Sequence, residues 1–328
     1  MRYEAQLEAK TAVIRDQLHR IGGLKKVTVK PPIPHPTPWE YRHDVELSPV
    51  TDDGLGFWSP GQRRVIPIKT CPILHPRLLA LWQDFDLDLP GLRKLTLRLG
   101  DDEALLAALA VDDVEPPQLE ADFPISVAIV MPNHTAANLV GDNFVIKRVH
   151  GRDFRVSPGC FFQPSPLMAG KLVDVLLDYA ALSGSESVLE LYSGVGMLTA
   201  FLAEQAAQVT AVEMNRDAVA DTAVNLDEFD NVTLYQGKAE EIVPMLKEKF
   251  DVLVINPPAS GMSNQAIKVV RETAVSRLIY ASADVATLAR DSKRLRSAGY
   301  WLEEVQPVDM TPQTFHVNLV AKWIFKKG

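Results

Sequence analysis

Residues 187–199 read SVLELYSGVGMLT, and the architecture of the chain follows from them. A short apolar run ends at Glu190 and Tyr192, turns through Gly194 and Gly196, and resumes at Met197 with helical spacing, so it reads as strand, tight turn and helix. The same alternation extends outward on both sides. KLVDVLLDYAAL before it predicts a helix. After it MLTAFLAEQAA predicts a helix, VTAVEM a strand, AVADTAVNLDEF a helix, NVTLYQ a strand, EEIVPMLKEK a helix and DVLVINPP a strand; SRLIYAS and VATLARDSKRLRSAG add a strand and a helix. Strands that are continuous apolar runs, alternating with amphipathic helices, indicate a parallel sheet covered on both faces. This part of the chain is therefore expected to be a doubly wound α/β domain. YWLEEVQPVDM and HVNLVAKWIF follow without a helix between them, as a closing antiparallel hairpin.

Upstream the texture differs. Leu7, Ile14, Leu18 and Ile21 stand at helical spacing before Gly22 and Gly23, which predicts one amphipathic helix. From Lys25 to about Val149 the chain is rich in short alternating runs, GLGFW, RRVIPIK, KLTLRLG, ISVAIVM and FVIKRV, with a short helix near Pro76 to Trp82. The prolines between 31 and 38 exclude a helix there and predict an extended surface segment. The expected organisation is a helix over 1–23, a β-rich domain over 24–155 and the α/β domain over 156–328.

In a doubly wound sheet, ligands bind beyond the carboxyl ends of the strands. There the Gly194-x-Gly196 turn lets backbone pass close under a ligand and presents the amides of the following helix. Glu213 ends the next strand, seventeen residues after Gly196, where a carboxylate can accept both ribose hydroxyls of an adenosine. An acid, three residues, Gly-x-Gly and a second acid after the next strand form the pattern of S-adenosylmethionine methyltransferases. The third glycine and the spacing of the dinucleotide fingerprint are absent. A plain tight turn would explain the glycines, a solvated strand end Glu213, and a capping or packing role Glu190; none of these explains both acids at their spacing.

From Tyr3 to Phe325 the chain resembles the RNA uracil-C5 methyltransferases, the family of tRNA and ribosomal RNA (uracil-5-)-methyltransferases. The resemblance is carried by PWEYRHDVEL, LGFWSPGQRRVIPIKTCPILHP, VSPGCFFQPSP, VLELYSGVGMLT, INPPASG, IYASADVATLARD and PQTFHVNLV. It implies a class I methyltransferase domain with a Rossmann-like sheet, a β-rich central domain that cradles RNA, and S-adenosylmethionine as cofactor. It also implies cofactor contacts from Gln163, Glu190, Tyr192, Gly194, Gly196, Glu213 and Asn256.

The resemblance implies a thiolate that adds to uracil C6 and a base that removes the C5 proton. The family's Ser-Cys-Asn-Pro segment is here Ser282, Ala283, Asp284 and Val285, its His-x-Glu is His316, Val317 and Asn318, and its Asp-Pro-Pro-Arg is Asn256, Pro257, Pro258 and Ala259. Nucleophile, base and uracil-contacting acid are thus replaced together. The two cysteines, Cys71 and Cys160, exclude a disulfide framework and an all-cysteine metal site within one chain. Cys71 matches one ligand of the family's iron-sulfur cluster but has no partner cysteines, so no cluster is expected. Cys160 is a substitute nucleophile or a small buried apolar residue.

The net charge of −8 argues against gripping nucleic acid through bulk charge and leaves a local patch. Arg63-Arg64, Lys69, Arg93-Lys94, Arg98, Lys147-Arg148 and Arg152 to Arg155 concentrate cations in the β-rich half, with ordinary solvated strand faces as the alternative. Two functions remain open. One is an RNA methyltransferase with an altered target, for which Asn256-Pro257-Pro258 would orient an exocyclic amine while Phe315 or Trp58 supplies the stacking surface. The other is a catalytically inactive relative that binds RNA or cofactor. No leader or apolar span is read in the sequence, and a cytoplasmic location is expected.

Overall fold

The structure is a computed structural model and describes residues 1–50, 54–59, 61–84, 91–112, 123–131 and 136–326. Its contacts divide the chain into two compact units, Met1–Pro36 with Leu167–Gly328 (the split unit) and Thr37–Pro166 (the middle unit). These breaks differ from the expected ones at 23/24 and 155/156. The proline-rich stretch stays with the split unit because its backbone pairs there. Lys30 N–H donates to Val305 O and Ile33 N–H to Pro307 O, both at 2.9 Å.

Helix α1 (Tyr3–Arg20) packs Ile14 and Leu18 into the core of the split unit. Strand β1 (Thr28–Val29) follows. The middle unit then runs through β2 (Asp44–Val50), β3 (Gly54–Ser59), β4 (Arg64–Pro67), α2 (Pro76–Asp84), β5 (Leu92–Leu99), β6 (Leu105–Val111), β7 (Ser126–Val130) and β8 (Ala136–Val140). Its described strands form a sheet ordered β4-β3-β2-β5-β6-β7-β8. Leu78, Leu81 and Trp82 of α2 join Val45, Leu47, Leu95, Leu97 and Leu109 in one buried cluster. A separate hairpin pairs β9 (Val145–Val149) with β10 (Arg152–Val156).

The split unit resumes with α3 (Pro166–Ala180), β11 (Ser187–Leu191), α4 (Met197–Ala203), β12 (Gln208–Glu213), α5 (Arg216–Asn225), β13 (Val232–Gln236) and α6 (Ala239–Ile242). It closes with β14 (Val252–Ile255), α7 (Asn264–Thr273), β15 (Arg277–Ser282), α8 (Val285–Ser297), β16 (Tyr300–Val308) and β17 (Asn318–Phe325). The sheet order is β1-β16-β17-β15-β14-β11-β12-β13. Pairs from β13 through β15 are parallel, and β17 lies antiparallel between β15 and β16. Every residue of β14 is buried, as helices on both faces require of a continuous apolar strand. The α/β sheet and its closing hairpin stand as expected.

Two local differences have physical causes. The helix expected over 240–249 ends at Ile242, with a 3₁₀ turn over Val243–Met245. Pro244 lacks an N–H and fits only the first turn of a helix. Between β14 and β15 the structure places α7, which the strand-and-helix pattern omits. Its signal is Ser263, whose hydroxyl accepts from Ala266 N–H at 3.0 Å, followed by buried Ala266, Ile267 and Val270 at helical spacing.

Candidate functional site

The turn after β11 is built by the two strands beside it and by α5. Tyr192 N–H donates to Val212 O at 2.9 Å, and the chain then reverses through positive φ at Tyr192 (63°), Gly194 (58°) and Gly196 (82°). Tyr192 holds a left-handed conformation uncommon for a side chain of its size. Gly196 begins α4, and a Cβ there would stand 2.9 Å from Thr222 Cγ2. At Gly194 a Cβ would meet no atom within 4 Å, so the turn is packed on one side and open on the other. Helix α5 holds it in place. The Thr222 hydroxyl donates to Gly194 O and the Asn225 amide to Val195 O, both at 2.8 Å.

Glu213 completes the clamp. Its carboxylate accepts from Gly194 N–H at 3.0 Å and from Asn215 N–H at 2.7 Å. Asn215 in turn caps α5 by accepting from Asp217 N–H at 2.9 Å. Each Glu213 oxygen keeps acceptor capacity beyond the one amide it receives. Beside it lies a cleft of about 220 Å³ with Tyr192, Val212, Met214, Gly237 and Gly261 among its walls. An apolar slot next to a carboxylate with spare acceptors suits a planar base joined to a ribose.

Glu190 differs in kind. It is fully buried, and neither carboxylate oxygen has a hydrogen-bond partner of bonding geometry. Burial pushes its pKa up to about 8; the nearby Thr199 hydroxyl partly opposes this and the charge of Glu213 adds to it. The hydroxyls of Ser193 and Thr199 are likewise buried without partners. Unpaired buried polar groups are costly. Three of them around a turn with one open side fit a polar ligand such as S-adenosylmethionine.

Asn256, Ala283 and Asn318 converge at the same end of the sheet. Asn256 N–H donates to Leu191 O at 3.2 Å, which sets it beside the turn. In the antiparallel β15–β17 ladder Ser282 faces Leu319, so the next step brings Ala283 opposite Asn318. Ala283 is exposed, and Asn318 is buried at 8% exposure. Asp284 caps α8 by accepting from Thr287 N–H at 2.7 Å. The loop after Asn256 is tied to that helix: Thr287 donates to Ala259 O at 2.9 Å, Arg290 to Ser260 O at 2.7 Å and Arg294 to Met262 O at 3.1 Å. Fully buried Asp291 accepts from Met262 N–H and Tyr280 Oη, both at 2.9 Å, and pairs with Arg290 and Arg294. Composition alone does not reveal this hub. Its signal is an acid at an inward position of an amphipathic helix.

Next to Ala283 and Asn318 lies a second cleft, of about 410 Å³, with Gln6, Lys10, Val13, Val285, Phe315 and Val317 among its walls. Phe315 is 84% exposed, and its ring centroid lies 4.0 Å from that of His316. A buried ion pair, Lys10 Nζ to Asp309 at 2.6 Å, anchors α1 as one wall. The Tyr3 hydroxyl also donates to Asp309, at 2.8 Å.

The middle unit holds the other sequence candidates. Gln163 is buried there at 5% exposure. Both cysteines belong to this unit, Cys71 half-buried and Cys160 buried, and among the described residues no group of three or more His, Cys, Asp or Glu could hold a metal ion. Two cations expected in a surface patch are internal instead. Lys147 is fully buried and Arg98 is 5% exposed; both pair with Asp44. Arg98 also donates to Ser157 O at 3.0 Å and Cys160 O at 2.8 Å. Burial lowers the Lys147 pKa and the charge of Asp44 works against that. These residues brace the segment leading to Gln163 and are unavailable to a ligand.

Among the described residues no helix is long and apolar enough to cross a membrane. A family model described as tRNA (Uracil-5-)-methyltransferase matches residues 125–322. An uncharacterized RNA methyltransferase of Halalkalibacterium halodurans is 30% identical, over 98% of this chain and 79% of its own length. One from Enterococcus faecalis is 31% identical, over 97% of this chain and 79% of its own. Among solved structures, the tRNA (uracil-54, C5)-methyltransferase of Pyrococcus abyssi, in complex with S-adenosyl-L-homocysteine, superposes with a TM-score of 0.72 at 25% identity, covering 99% of this chain and 84% of that one. The sheet is that of the class I S-adenosylmethionine-dependent methyltransferases, and the chain belongs to the tRNA (uracil-5-)-methyltransferase family.

Proposed function

We propose that this protein is a cytoplasmic, S-adenosylmethionine-dependent RNA methyltransferase whose target atom is not uracil C5. The observation that carries this reading is the convergence of Ala283, Asn318 and Asn256 at one end of the sheet, beside the Gly194-x-Gly196 turn. When bound, the cofactor supplies an electrophilic methyl group. Within the chain, Glu213 would receive the ribose, the Tyr192 to Gly196 turn would pass beneath the sulfonium end, and Glu190, kept protonated at neutral pH by its burial, would supply a buried polar group beneath the turn.

Uracil C5 needs a thiolate added at C6 and a base to take the C5 proton. A methyl side chain at 283 adds to nothing, and an amide at 318 is too weak a base for that proton. The split unit contains no cysteine, and Cys160 is buried. A base atom that is already nucleophilic, such as an exocyclic amine, needs neither group. It needs orientation, which the Asn256 amide oxygen can supply by accepting its N–H, and a stacking surface, which Phe315 offers beside the second cleft. A flipped base from a tRNA or rRNA loop fits this arrangement.

A second reading is a catalytically inactive RNA- or cofactor-binding relative. It is favoured by Ala259, which follows Asn256-Pro257-Pro258 where an aromatic residue would complete an amine-methylating loop. The deciding experiment incubates the protein with S-adenosylmethionine and total RNA and identifies the methylated nucleosides by mass spectrometry, with calorimetric titration of the cofactor alongside. N-methylated base is the expected product. Formation of 5-methyluridine dependent on this protein would refute the assignment of Ala283, and cofactor binding without any product would select the second reading.

A further inference from the structure

We propose that the β3–β4 hairpin is a contact for single-stranded RNA, with Trp58 as a stacking surface and Arg63, Arg64 and Lys69 as phosphate partners. The inference rests on the RNA-binding reading above and assigns it a place on the molecule. Alternation along the hairpin separates two aromatic neighbours. Phe57 pairs with Ile66 across the strands and sets its ring edge-on to buried Trp82, with centroids 5.9 Å apart. Trp58, paired with Val65, therefore faces the other way and is 56% exposed. Leaving such a ring in water forgoes the favourable burial of its apolar area, a loss with no return inside the unit.

The charges on this hairpin differ from several other cations of the middle unit. Arg77, Arg93, Lys94 and Arg148 are each paired with a carboxylate, on Glu103, Asp112, Glu46 and Asp153. Arg98 and Lys147 are internal. Arg63, Arg64 and Lys69 are exposed, and among the described residues no carboxylate lies within ion-pair distance of them. Residues 54–70 contain no acid at all; Pro60 of this segment lies outside the described residues. Arg63 turns the chain at a φ of 50°, and the Arg64 guanidinium donates to the Gln62 side chain at 2.9 Å, which leaves its other N–H groups outward. Arg63 at the turn, Arg64 opposite Ser59 on the face away from Trp58 and Lys69 past the end of β4 put charge along the rim of a hairpin that exposes an indole on one face, which matches the pairing of backbone charge with base stacking that single strands require.

The test uses the full chain and two probes, labelled oligouridylate and bulk tRNA, titrated by fluorescence anisotropy over a series of salt concentrations. Trp58→Ala is expected to weaken binding by about tenfold at each salt concentration, the scale of one lost base stack. Replacing Arg63 and Arg64 by alanine is expected to flatten the slope of log K against log salt by about 0.7 per arginine. Melting temperatures should stay at the parent value because all three side chains are exposed. Arg93→Ala, which removes a cation already neutralised by Asp112, should leave binding unchanged. If the parent binds RNA and the hairpin variants match it, this inference is overturned while the functional reading stands. If the parent binds neither probe, both fall.

Discussion

Glu190 should make the stability of the split unit fall as pH rises. An unfolded glutamate ionises near 4.5, whereas burial holds this one at about 8. Across that window the unfolded chain has lost the proton and the folded chain keeps it, so the stability slope is negative. The full stability is present below about pH 4.5, declines through the window and levels off above about 8. Each pH unit crossed inside the window corresponds to about 1.4 kcal/mol, so the penalty is about 3 kcal/mol at neutral pH and about 5 kcal/mol at the plateau. Glu190→Gln has no proton to lose. Urea unfolding of the variant and its parent, followed by circular dichroism at a series of pH values, should give curves that agree within a constant offset near pH 4.5. They should diverge by about 3 kcal/mol by neutral pH, with the variant gaining. The offset itself is immaterial, because the buried amide brings its own hydrogen-bonding demand at every pH. Parallel curves across the window would show that Glu190 titrates normally and would undo the argument that an unpaired, desolvated acid lies beneath the turn.

The two glycines of that turn should respond differently to the same substitution. Gly194→Ala places a methyl in open space at a φ of 58° and should cost only about 1–2 kcal/mol of stability while abolishing the calorimetric signal for S-adenosylmethionine. Gly196→Ala adds overlap with Thr222 and should cost more, a total of about 2–4 kcal/mol, with a correspondingly lower melting temperature; equal losses in the two variants would contradict the open-sided geometry. Asp291→Ala leaves Arg290, Arg294, Tyr280 and Met262 N–H without their shared acceptor and should cost about 3–5 kcal/mol. Hydrogen exchange in that variant should rise over 256–262 more than over β11, and an unchanged pattern there would count against the hub.

Local features carried the α/β half of this fold. Apolar runs bounded by turn residues, helical spacing in the segments between them, and Gly194 and Gly196 followed at a set distance by Glu213 are all properties of neighbouring residues, so a linear reading recovers them. Helix α7 is legible too, through Ser263 and the spacing of Ala266, Ile267 and Val270, although its signal is weaker than that of the apolar strands on either side. The end of α6 follows from Pro244. Charge was the poorest guide. Arg98 and Lys147 look like Arg63 and Arg64 in a list of cations, yet Asp44 holds the first pair inside the core, and among the described residues the second pair meets no carboxylate.

The order of residues is enough to establish a class I sheet and the Gly194-x-Gly196 turn followed by Glu213; that Ala283 and Asn318 stand where the family's nucleophile and base would be is the reading proposed above. That those positions meet is a matter of tertiary contacts. Ala283 and Asn318 are thirty-five residues apart and become neighbours through the antiparallel register of β15 and β17; Asn256 reaches the same end through the parallel pairing of β14 with β15, and its N–H bond to Leu191 O ties it to the strand that carries the turn. The same holds for Glu190, whose chemistry depends on its surroundings. An acid at a strand end is an ordinary carboxylate until helices and strands distant in sequence remove the water from it, and desolvation is a property of packing that no local pattern contains.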